Sequence, residues 1–97
     1  MLKWLDARAA TQFGQELAQD LLSTLAASMS ARDAKFAAKA EKALIRADGR
    51  VRDFRRANDL NVLQRTKLAN AFLWKLKDGG CPDDYARELT QWLTHRL

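Results

Sequence analysis

An all-α fold is predicted by three features of this 97-residue chain. Apolar residues return at steps of three and four over long stretches, the spacing that gathers side chains on one helix face. Four glycines and one proline leave little punctuation, which suits few, long helices. Where punctuation falls, it comes with helix-ending and helix-starting chemistry, as in Asn61, Asp78-Gly79-Gly80 and Pro82. The expected architecture is a four-helix antiparallel arrangement. It is built on a long helical hairpin, residues about 2–29 and 31–57, with two shorter helices at about 62–77 and 82–96. One all-helical domain, 1–97, follows from the length and from the absence of a flexible linker or internal repeat.

In the first helix, Leu5, Ala9, Phe13, Leu17, Leu21, Leu25 and Met29 recur every fourth residue, and Ala18 and Leu22 broaden the far end. A fourfold spacing overshoots one turn by about 40°, so the stripe winds and the two ends should touch different neighbours. Gly14 costs about 1 kcal/mol relative to Ala in a helix interior. It either admits the close approach of another helix or is a tolerated weak point.

The turn after it, Ala27-Ser28-Met29-Ser30, lacks Gly and Pro and must be tight. Ser30 with Asp33 three residues on reads as a variant capping box for the second helix. Phe36, Ala40, Ala43, Leu44, Ala47, Val51 and Phe54 form its apolar face. Asp48-Gly49 can mark a turn, yet the apolar phase continues across it, so a continuous or slightly kinked helix is expected. The alanines on that face suggest close approach to the first helix.

Asn61 with Gln64 is a good cap for the third helix, whose predicted core face is Val62, Leu68, Ala69, Phe72, Leu73 and Leu76. Gly79 is expected in the left-handed conformation just beyond it. Lys75 and Lys77 complement the end of its dipole. In the fourth helix Pro82 suits the first position and Asp83 and Asp84 the first turn. Tyr85, Ala86, Leu89, Trp92, Leu93, Arg96 and Leu97 share one face.

With 47% hydrophobic and 30% charged residues the chain reads as globular rather than disordered. No run approaches the roughly 18 apolar residues of a membrane span. The first residues lack the continuous apolar core of a signal peptide, and Asp6, Glu16 and Asp20 argue against a transit peptide. The single Cys81 fits a reducing compartment, and a cytoplasmic location is expected.

No catalytic residue, metal site or cofactor is assigned, and no small-molecule substrate is evident. His95, the one histidine, falls off the apolar face of the last helix, where it complements the dipole. Cys81 at a helix start is a conceivable reactive thiol, opposed by Asp83 and Asp84. No Cys or His cluster has zinc-ligand spacing, and no glycine-rich loop follows a strand. A helix-turn-helix over residues 65–97 would present Asp83 and Asp84 to phosphates, which argues against it.

The formal charge of +5 is concentrated: residues 30–58 hold nine basic and four acidic groups. Arg32, Lys35, Lys39, Lys42, Arg46 and Arg50 line one stripe of the second helix, about a quarter turn from its apolar face. Like charges at i,i+4 cost a helix about 0.2–0.5 kcal/mol per pair, so the pattern invites an anionic partner. The plainer explanation is a solvated face, partly neutralised by Glu16, Asp20 or Glu88. Trp92 is expected in the core, whereas Trp4 and Trp74 lie off the main stripes and either anchor an interface or close the domain edge. The reading is a small non-catalytic interaction or adaptor protein, homodimeric, that binds an acidic protein partner through the basic stripe, with Trp74 as a second contact. The alternative is a sequence-nonspecific nucleic-acid-associated protein gripping phosphates with the same stripe; the lack of interleaved aromatics counts against single-strand stacking.

Overall fold

The computed structural model describes residues 6–25, 29 and 32–97 and places four helices in a bundle: α1 Arg8–Leu25, α2 Ala34–Ala57, α3 Val62–Asp78 and α4 Asp83–Thr94. No strand occurs among the described residues. The bundle is elongated, 47 × 23 × 19 Å.

Three of the four helices begin where a side chain accepts from an early amide; α4, which starts after Pro82, has no side-chain cap. Ahead of α1, Asp6 accepts from the Arg8 amide at 3.1 Å and from the Arg8 guanidinium at 2.9 Å. The helix therefore starts at Arg8 and not near residue 2, and its length of 18 residues is shorter than expected. Residues Leu5 and Trp4 lie outside the described residues. So do Ala27, Ser28 and Ser30 of the predicted tight turn, and with them the predicted Ser30 cap. The cap of α2 is Asp33, whose side chain accepts from the Phe36 amide at 2.9 Å. α2 then continues without interruption past Asp48-Gly49. At α3 the capping box is complete: Asn61 Oδ1 accepts from the Gln64 amide at 2.8 Å, and the Asn61 amide donates to Gln64 Oε1 at 3.0 Å. Gln64 Nε2 also donates to the Asp6 carbonyl at 2.9 Å, joining the starts of α1 and α3.

α1 packs chiefly against α3, α3 also carries α4, and α2 meets α1 more loosely. Gly14 explains the first pairing. A Cβ there would collide with the Leu68 carbonyl oxygen and lie 3.3 Å from the Ala71 Cβ, so only a hydrogen lets α3 come this close. Gly14 thus serves the approach of α1 to α3, while Ala40, Ala43 and Ala47 of α2 are buried in the core. Ala43 and Ala47 help line a groove of about 330 Å³ between α1 and α2.

The core gathers Leu17, Leu21 and Leu25 of α1, Val51 of α2, Leu68, Phe72 and Leu76 of α3, and Leu93 of α4. In α1, Ala10 is buried and Ala9 exposed. Phe13 of α1 stacks on Phe54 of α2 with ring centroids 4.2 Å apart, while further along α1 Leu22 lies on Gly79. Phe36 of α2 meets Tyr85 of α4 edge-on at 5.4 Å.

Several expectations are corrected. Val62, expected on the core face, is 78% exposed at the first position of α3. Gly79 keeps an ordinary negative φ and serves Leu22's packing; the left-handed residue is Gly80, with φ 89°. Pro82 caps α4 from outside, and the helix ends at Thr94, ahead of Arg96 and Leu97. Trp92 is half-buried at the core's margin, with the Arg96 guanidinium 4.3 Å above its ring.

Candidate functional site

The basic stripe of α2 is divided by its surroundings. At one end Arg32, expected on this helix, precedes the Asp33 cap and lies outside α2; it pairs with Asp84 of α4 at 3.1 Å and lies 5.6 Å over the Tyr85 ring. Arg32 has a φ of 45°, a left-handed conformation unusual outside glycine. At the other end Arg50 pairs with Asp20 of α1 and lies 5.7 Å over the Phe13 ring. Beyond it, Arg52 pairs with Asp48 at 2.8 Å, Arg56 with Asp53 at 3.7 Å, and Arg55 donates to the Arg96 carbonyl at 2.8 Å. Arg96 reaches back to Asp48 at 3.0 Å.

Between these clasps, Lys35, Lys39, Lys42 and Arg46 are exposed and have no carboxylate partner among the described residues. The remaining residues, 1–5, 26–28 and 30–31, include no Asp or Glu. The neutralising acids prove to be Asp20 and Asp84; Glu16 instead accepts from Gln12 at 3.1 Å. The structure therefore keeps four of the six stripe residues together as an open cationic face and commits Arg32 and Arg50 to holding α2.

No family model, curated protein or solved structure matches this chain.

Ile45 was not singled out by sequence pattern, yet it is 65% exposed on α2. A shallow, mainly apolar groove of about 440 Å³ is lined by Ile45, Thr24, Lys39, Lys42 and Arg46. A signal was present: Ile45 lies off the three-four stripe that buries Phe36, Ala43 and Ala47, and no apolar residue a turn away completes a second stripe. On α3, Trp74 is 60% exposed with the Lys77 ammonium 5.1 Å from its ring. It shares the outer side of that helix with the half-buried Leu63.

Cys81 is a free thiol, 4% exposed. Burial pushes its pKa up, Asp83 and Asp84 act in the same direction, and Arg32 opposes them. That environment favours the protonated thiol over a nucleophilic thiolate. His95 is the exposed C-cap of α4, at the opposite end of that helix from Cys81. The two are thus roughly 20 Å apart along the helix axis. No group of three or more His, Cys, Asp or Glu suited to a metal occurs among the described residues. No described helix is long and apolar enough to cross a membrane.

Proposed function

We propose that this protein is a small non-catalytic helical interaction module that binds an acidic protein surface through Lys35, Lys39, Lys42 and Arg46. One observation carries this reading. Of the nine cations between Arg32 and Arg56, five arginines are held by intramolecular partners and these four are left open in one patch. Like charges a turn apart weaken a helix, and an anionic partner would relieve that cost. The exposed Trp74 on α3 supports a second contact, which we assign to homodimer formation, since aromatic anchors recur at interface centres. We place it in the cytoplasm, since one cysteine in the sequence cannot form an internal disulfide, a usage that fits a reducing compartment.

The test is binding of the full chain to poly-glutamate and to a DNA duplex, followed by anisotropy as salt rises. Poly-glutamate should be retained at low salt and lost in the Lys39→Glu/Lys42→Glu/Arg46→Glu variant. Preferential retention of the duplex, with a steep salt slope, would replace this reading with phosphate gripping.

A further inference from the structure

Deepening the reading just given, and resting on it, we infer that the partner segment carries a bulky apolar side chain among its carboxylates, and that this side chain seats beside Ile45. The open cations do not stand alone. Lys39, Lys42 and Arg46 surround a shallow groove whose floor is largely hydrocarbon, with Ile45 and Thr24 completing its walls. Ile45 is 65% exposed, one of three large hydrophobic residues left so open among the described residues. A ligand that supplied charge alone would leave this surface wet.

Charge decides among the occupants. A second copy using the same face in a two-fold dimer would bring four cations against four, so the face does not serve self-association. A duplex backbone would satisfy the lysines but has nothing to cover Ile45, and the patch offers no aromatic platform for a base. An acidic peptide with one apolar anchor answers both features. The cations span Lys35 to Arg46, about 16 Å of helix, which an acidic helix of three turns would match.

The probes are two labelled 16-residue peptides with identical glutamates, one carrying two leucines a helical turn apart and the other alanines at those positions. Titration uses the full-length protein, Ile45→Ser and Lys39→Glu/Lys42→Glu, each checked for folding by circular dichroism. The leucine peptide should bind about tenfold more tightly than the alanine peptide, the scale expected from covering one aliphatic side chain. Ile45→Ser should erase that advantage and leave the alanine peptide's affinity unchanged. Equal binding of the two peptides, or indifference to Ile45→Ser, overturns the apolar anchor while the acidic-partner reading survives. Failure of either peptide to respond to Lys39→Glu/Lys42→Glu overturns both.

Discussion

At Gly14 and Gly49 the same residue does opposite work, and substitution separates the two. A Cβ on Gly14 would drive into the Leu68 carbonyl, whereas Gly49 has nothing within 4 Å of that position. Gly14→Ala should therefore destabilise the fold by about 1–3 kcal/mol in urea unfolding, despite alanine's better helix propensity. Gly49→Ala should stabilise it by about 0.5–1 kcal/mol in the same assay. Cys81 offers a second measurement. Its folded pKa lies above the ordinary thiol value of 9.0, so the folded state holds its proton more tightly than the unfolded chain. That contribution is complete below the ordinary value and is lost as pH rises through the raised one. Thiol titration at neutral pH should find Cys81 unreactive in the folded protein and fully reactive in denaturant, and Cys81→Ala should flatten the alkaline loss of stability.

Among the elements, α3 was the most legible, because its cap is local chemistry: Asn61 and Gln64 are three residues apart and need no tertiary partner. α2 was legible for a related reason, since the apolar phase through Val51 outweighed the turn signal of Asp48-Gly49. Pairing was not legible. Which helix Gly14 admits depends on Leu68, 54 residues away. The cationic stripe could be read from spacing, and Asp20 was among the acids expected to neutralise it; the Asp84 clasp was not, because Asp84 reaches Arg32 from another helix. The Asp84 clasp is testable. Arg32 holds the Asp84 carboxyl below the ordinary carboxylate range, so its contribution is present above that range and disappears as pH falls through the lowered value. Acidification below the ordinary carboxylate range should therefore raise amide exchange at the start of α2, and Asp84→Asn should produce the same loosening at neutral pH.

For the whole molecule, binding and stability should respond to different residues. The four open cations contribute no ion pair to the fold. Lys42→Glu should leave the unfolding free energy unchanged or raise it slightly, by roughly 0.2–0.5 kcal/mol, as it turns a repulsion with Arg46 into an attraction. The proposed dimer predicts a dimer mass in light scattering that Trp74→Ser lowers to a monomer's without changing helix content; a monomer mass for the unaltered chain would remove the dimer, and an unchanged dimer mass would remove α3 from its interface. The bare backbone at Gly14 has a consequence for assembly of the bundle as well. It acts as a detent, receiving one particular peptide group of the neighbouring rod. Sliding that rod by a full turn would press the same carbonyl against Ala10 or Ala18, whose methyl groups leave no such recess. The two central rods are thus keyed in translation, and alternative slipped bundles are excluded by shape where greasiness alone would tolerate them.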